Sequence, residues 1–243
     1  MSDGAEIPLT GGRITAGVVR VGDTVRRPVK SGAVDLKELL GLLAANGFEG
    51  APRYLGIDAA GRVMLSFLEG EVPSDLGHFE DTQLVAAARL LREFHDATAG
   101  SALVPAGSEV VCHNDFGPPN AVFRDNTPWA MIDFDTAAPG SRLWDLGYSA
   151  FSWLDLGDED YSGDEQVRRL GVFTGAYGHL ACPPELVAVH AVARQTSLAA
   201  RGKRIGDTAM GDWAAACAAW TVHHVLEALL PTGLSEQNRA TTT

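Results

Sequence analysis

The chain is poor in cysteine and in positive charge, and each shortage removes a class of protein. Its three cysteines, Cys112, Cys182 and Cys217, are widely spaced and form no Cys-x-x-Cys pair. That excludes a disulfide framework and a paired-thiol zinc or redox site, and it predicts three buried structural thiols. Lys and Arg number 19 against 31 Asp and Glu, a formal charge of −12, which argues against a nucleic-acid binder. No apolar run reaches the roughly 18 residues needed to span a bilayer, and Met1 to Pro8 lacks the basic-then-apolar order of a secretory signal. A cytoplasmic protein with no membrane partner is the expectation. Gly-x-Ser-x-Gly is missing, so a serine-hydrolase elbow is excluded. A Rossmann fingerprint, Gly-x-Gly-x-x-Gly after a strand, is missing too.

What is present is a globular composition, 46% apolar, with two differently patterned parts. Residues 1–70 are rich in Gly and short β-prone runs. Gly17 to Val21 and Thr24 to Arg27 flank Gly22-Asp23, a two-residue hairpin signal. Leu36, Leu39, Leu40 and Leu43 share one helical face after Asp35, and Asn46-Gly47 supplies the stop. Two further strands are predicted, Arg53 to Ile57 and Val63 to Phe67, around an Asp58–Gly61 turn. Residues 71–243 read as mostly helical. Leu84, Ala88, Leu91 and His95 form one stripe over 80–98. A second stripe, Leu186, Val189, His190 and Ala193, follows Pro183-Pro184 in 184–201. A third, Met210, Trp213, Cys217 and His224, runs along 208–230. The fold class expected from this pattern is α+β.

Between the helices lies a non-helical block, 110–139, holding His113-Asn114-Asp115-Phe116-Gly117-Pro118-Pro119-Asn120 and, thirteen residues on, Asp133 within 131–135. Gly and two prolines forbid a helix, so 113–120 is a shaped loop. A carboxylate, a carboxamide and a second carboxylate brought together are what phosphoryl transfer asks of a protein. One carboxylate takes or orients the proton of an attacking hydroxyl, while an Asn oxygen and another carboxylate hold Mg²⁺ against nucleotide phosphates. These hard oxygen donors suit magnesium.

With those motifs, and with Arg142-Leu-Trp-Asp-Leu-Gly-Tyr148 after them, the sequence resembles the aminoglycoside phosphotransferase and choline kinase-like family. That resemblance implies a two-lobed protein-kinase-like fold, with a small antiparallel N-lobe at 1–70 and a helical C-lobe at 71–243. It also implies an ATP- and Mg²⁺-dependent kinase that phosphorylates a hydroxyl of a small, amine-bearing molecule. By the same resemblance Asp115 is the catalytic base, His113 orders its loop, Asn120 and Asp133 hold Mg²⁺, and Asp145 braces the loop. Asp135 matches a second acidic position to which no role is assigned. In the N-lobe, Gly11 and Gly12 belong to a loose match for the phosphate-covering loop. Arg26 stands where the family carries a phosphate-binding cation, with Arg27 on the opposite face by the period-two rule. Glu38 is its expected helix partner. The sheet is expected to be short by a strand or more. Ser66, Phe67 and Leu68 match the lobe linker whose backbone meets adenine; the same residues also read as an edge strand ending in a Gly turn. His95 on its apolar stripe reads as a core residue. The acidic run Asp155 to Glu165 suits either a cationic substrate or a solvated loop. Two rival readings are a catalytically silent kinase-like module that has lost ATP and a metal-dependent phosphoester hydrolase.

Overall fold

The computed structural model describes residues 5–9, 17–74 and 76–230. The predicted Gly11 and Gly12 loop lies outside them. Five antiparallel strands form the first sheet: β1 (Ile7–Pro8), β2 (Val19–Val21), β3 (Thr24–Arg27), β4 (Tyr54–Ile57) and β5 (Val63–Ser66), in the order β1-β2-β3-β5-β4. Strand β1 is the shortest of them, with two residues. Val21 pairs with Thr24 across Gly22-Asp23, and Gly22 takes the positive φ of 58° that such a turn needs at its first central position. Helix α1 (Leu36–Ala45) is capped by Asp35, which accepts from the Glu38 N–H at 3.0 Å. It ends in a Schellman arrangement: Gly47 has φ 74° and the Phe48 N–H reaches Leu43 O at 2.9 Å. Leu39, Leu40 and Leu43 are buried, the face the spacing predicts.

Strand β5 lies between β3 and β4 and ends at Ser66, so the reading of Ser66 to Leu68 as an edge strand ending in a Gly turn is corrected. Past Ser66 the chain crosses to a second β-unit, where Glu71 and Phe123 exchange backbone hydrogen bonds of 2.9 and 2.7 Å. Gly70 is required there, since a Cβ would stand 2.2 Å from Phe123 O.

Helix α2 (Asp81–Thr98) opens with a capping box between Glu80 and Gln83 and buries Leu84, Ala88, Leu91 and His95 as the stripe predicts. Strand β6 (Val110–Cys112) follows, then the hairpin of β7 (Ala121–Arg124) and β8 (Thr127–Met131), turned by Asp125 and Asn126 in left-handed conformation. Strand β9 (Ala138–Gly140) returns to pair with β6. Loop 113–120 therefore joins β6 to β7 and segment 132–137 joins β8 to β9, and the ladders bring both turns side by side.

Five more helical pieces follow among the described residues: α3 (Arg142–Leu154), α4 (Gly163–Tyr177), α5 (Pro184–Ile205), α6 (Thr208–Thr221) and α7 (Glu227–Leu229), with a π-helical stretch at Val222–Leu226 between the last two. One predicted stripe is misplaced and another is right only at Cys217. In α5 Leu186 and Val189 are exposed, and Val187, Ala188, Ala191 and Ala199 are buried. In α6 Trp213 is exposed, and Ala214, Cys217 and Ala218 are buried. The reason is close helix approach: a Cβ on Gly147 would lie 2.6 Å from the His190 backbone, and one on Gly202 2.6 Å from Gly211 N. Helices that touch backbone to backbone need small residues at the contact, so bulk is the wrong guide to the buried face. The core between them holds Phe94, Phe116, Trp153, Phe173 and Tyr177, all with almost no exposure. Each such side chain contributes about 1.5–3 kcal/mol of burial. All three cysteines are free and buried, as expected.

Candidate active site

Strand β6 delivers His113 into the core, where its ring packs between Phe94, Phe116 and Phe134. Its Nε2 stands 3.0 Å from Ile132 O, and a carbonyl only accepts, so Nε2 carries the proton. His113 thus ties the 113–120 loop to the 132–137 segment from below, and its ring is buried away from the cleft.

Asp145, on the first turn of α3, fixes the same loop from the other side. Its two oxygens accept the N–H groups of His113 and Asn114, both at 2.7 Å. It also faces His95 Nε2 at 3.0 Å, and His95 Nδ1 lies 2.8 Å from the Tyr177 hydroxyl, which accepts from Arg142 at 3.2 Å. The proton order follows: Arg142 donates to Tyr177, Tyr177 to His95 Nδ1, and His95 Nε2–H to Asp145. Burial pushes the His95 pKa down despite Asp145, so the imidazole is neutral. Burial opposes ionisation at Asp145, yet His95 and the two backbone donors hold its carboxyl below the usual range. His95 is a satisfied core residue, as the sequence predicts.

Held in this way, Asn114 adopts a left-handed φ of 67°. Arg194 of α5 secures it, donating to its carbonyl at 2.6 Å and to its side-chain oxygen at 3.2 Å while stacking on Trp144 and Tyr148 at 4.6 and 4.7 Å. Asp115 comes next. One oxygen accepts from the Tyr148 hydroxyl and the other from Asn120 Nδ2 at 2.9 Å, and the same Nδ2 reaches Asp115 O at 2.8 Å. The carboxylate is therefore oriented by neutral donors and keeps lone pairs for a hydroxyl. Asn120 gives its amide nitrogen to Asp115, and its main-chain oxygen accepts from Ile132 N at 3.0 Å. Asp133 stands one residue further, at φ 61°. The backbone link therefore brings the chain at Asn120 close to that at Asp133, and both side chains carry hard oxygen donors of the kind that suits Mg²⁺.

The first sheet supplies the cations, with a difference from expectation. Arg27, and not Arg26, turns inward: it is 7% exposed, with Nη1 3.3 Å from Asp133 and Nη2 on Asp135. Arg26 lies on the sheet's opposite face. The period-two rule is obeyed, but the inner face is the one shared by Val25, Arg27, Val63 and Leu65. The apolar character of Val25 was the signal that could have identified it. Lys30 Nζ is 2.7 Å from Asp135, also unforeseen. Glu38 is exposed, and among the described residues no ion pair joins it to either arginine. Burial raises the Asp133 pKa, with Asp135 adding to it; at Asp135 burial is overcome by Lys30 and Arg27, which hold its carboxyl low. A 290 Å³ cavity opens beside this cluster, lined among others by Arg27, Lys30, Lys37, Tyr54 and Phe134.

In the linker, Ser66 N donates to Arg53 O at 2.9 Å and Phe67 N to Asp23 O at 2.8 Å, so both of these donors are used within the sheet. Tyr148, Arg194 and Thr136 make contacts to the loop that the sequence reading did not assign. Tyr148 lies three residues after Asp145 and hence on the same helical face, a spacing visible in the sequence. Arg194 arrives from α5 and carries no local signal.

The phosphotransferase enzyme family is matched over residues 97–181, which contain loop 113–120, Asp133 and Asp145. The trifolitoxin immunity protein of Rhizobium leguminosarum bv. trifolii is 32% identical over 260 residues, covering 93% of this chain and 98% of that protein. Among solved structures, the GDP complex of aminoglycoside 2'-phosphotransferase-IIIa superposes with a TM-score of 0.61 at 16% identity, covering 91% of this chain and 93% of that one. Choline kinase from Cryptosporidium parvum Iowa II gives 0.61 at 13% identity, covering 96% and 90%. The sheet, the helical part and the two turns between them are those of a protein-kinase-like fold, and the chain belongs to the phosphotransferase enzyme family.

Proposed function

We propose that this chain transfers the γ-phosphoryl group of ATP, with Mg²⁺, to a hydroxyl of a small amine-bearing molecule. The observation that carries the reading is the fixed carboxylate of Asp115, held by Tyr148 and Asn120 on a loop whose main chain is joined at Asn120 to the segment that carries Asp133. Mg²⁺ bound there would neutralise developing charge on the phosphates. Asn120 and Asp133 would hold that ion, and Arg27 and Lys30 would take phosphate oxygens as their hold on Asp133 and Asp135 is shared out. Asp115 accepts the hydrogen bond of the acceptor hydroxyl and aims its oxygen at phosphorus. Since phosphoryl transfer is mostly positioning and charge neutralisation, orientation of Asp115 is the larger part of its contribution. Asp155, Asp158, Glu159 and Asp160 in the loop before α4 support an amine-bearing acceptor, because clustered negative charge draws cations. Buried, unpaired cysteines fit a cytoplasmic site of action.

The test is ADP release with amino sugars, amino alcohols and amino acids as acceptors. The toxin named in the Rhizobium relative is a further acceptor for the same panel. On an accepted substrate, Asp115→Asn is expected to lower kcat by about 10²–10⁴-fold while leaving ADP affinity unchanged. Near-normal turnover by Asp115→Asn would refute the assignment.

A further inference from the structure

A guanidinium as deeply buried as Arg27 needs an acid against it. The kinase-like pattern predicts that acid on helix α1, at Glu38, but Glu38 is exposed, and among the described residues no ion pair joins its carboxylate to Arg27. The acid is supplied instead from the metal segment. Asp135 Oδ2 meets both Arg27 Nη2 and, at 2.7 Å, Lys30 Nζ. Arg27 Nη1 reaches Asp133 at 3.3 Å, so two cations face two carboxylates on one side of the cleft. Asp133 and Asp135 flank Phe134 at the start of a single 3₁₀ turn, Phe134–Thr136, whose aromatic ring is anchored in the core. The acid behind the cations and the acid for the metal are thereby fixed to one rigid turn.

From this geometry we infer that Asp135 is a positioning residue for nucleotide binding: it takes the part expected of the α1 acid, holding Arg27 and Lys30 towards the phosphates while Asp133 exchanges Arg27 for the divalent cation. The inference rests on the reading of this site as a nucleotide phosphotransferase. It makes ADP affinity depend on Asp135 even without metal, since its effect runs through the two cations. It also makes the charge of Glu38 irrelevant to that affinity.

The experiment is isothermal titration of ADP, in EDTA and in Mg²⁺, into the wild type, Asp135→Asn, Asp135→Glu, Lys30→Met and Glu38→Gln, with thermal unfolding to confirm that each variant is folded. Asp135→Asn is expected to weaken ADP about tenfold in both buffers, with most of the loss restored in Asp135→Glu. Lys30→Met, at a half-exposed position where folding is not at stake, is expected to weaken ADP about fivefold in EDTA. Glu38→Gln should stay within about twofold of wild type. Wild-type affinity in Asp135→Asn, or in Lys30→Met should Asp135→Asn not fold, would overturn the inference. So would an equal loss in Glu38→Gln. A loss confined to the Mg²⁺ buffer would make Asp135 a metal ligand and overturn it as well. A wild type that binds ADP in neither buffer would refute the nucleotide reading itself, and the inference with it.

Discussion

Asp145 and His95 form a buried pair whose charge is divided unequally, and the division has a sign that can be measured. The His95 pKa is lowered in the folded protein, so the unfolded chain binds a proton below about 6.5 that the native chain refuses. Stability is therefore full above that value and declines as pH falls through it, with a slope of up to about 1.4 kcal/mol per pH unit from this residue. Urea unfolding of wild type and His95→Gln between pH 5 and 8 should show the steeper decline in wild type. Asp145→Ala removes the acceptor of two loop amides and one imidazole and should cost about 3–5 kcal/mol in the same assay. At this scale the loop residues were legible because His113, Asp115, Asn120 and Asp133 are chemically rare choices at fixed spacing. Arg27 was misread against Arg26 because alternation along a four-residue strand says which residues share a face, while the buried face is set by the neighbouring strand and helix.

Helix α3 serves two ends at once: Asp145 and Tyr148 fix the 113–120 loop, and Gly147 between them receives α5. Gly147→Ala should then be destabilising in spite of alanine's better helix propensity of about 1 kcal/mol, because its methyl group meets the His190 backbone. Net destabilisation of about 1–3 kcal/mol is expected in chemical denaturation, together with a fall in kcat as Tyr148 moves relative to Asp115. Element identity was legible where periodicity was strong, as in α1, α2 and the β2–β3 hairpin. It failed for α4, whose early acidic residues read as loop, and for the buried faces of α5 and α6, where small residues make the contact. A contact between backbones leaves no large side chain to be counted.

Across the whole molecule, nucleotide and metal should stabilise the fold by joining the first sheet to the loops below it. MgATP at a hundred times its Kd is expected to add about 2.7 kcal/mol, read as a rise in Tm. Asp133→Ala should abolish the part of that rise that EDTA removes. No helix among the described residues is long and apolar enough to cross a membrane, which agrees with the reading of hydropathy along the chain. The two-part organisation was legible because β-prone and helix-prone stretches segregate in the sequence. The crossing of ion pairs between Arg27 and Asp135 was not, for it joins residues 108 positions apart.

The pairing of β6 with β9 and the His113–Ile132 link have a further consequence in exchange kinetics. They close the chain from Val110 to Gly140 into one knot of backbone hydrogen bonds, with Asp145 at its centre. The amides of Val111, His113, Asn114 and Ile132 belong to a single cooperative opening and should exchange with deuterium at one common, slow rate, while those of the two-residue strand β1 exchange early. The groups that would bind metal and orient the acceptor are thus lost together or kept together, and partial loosening of the N-terminal sheet leaves their arrangement intact.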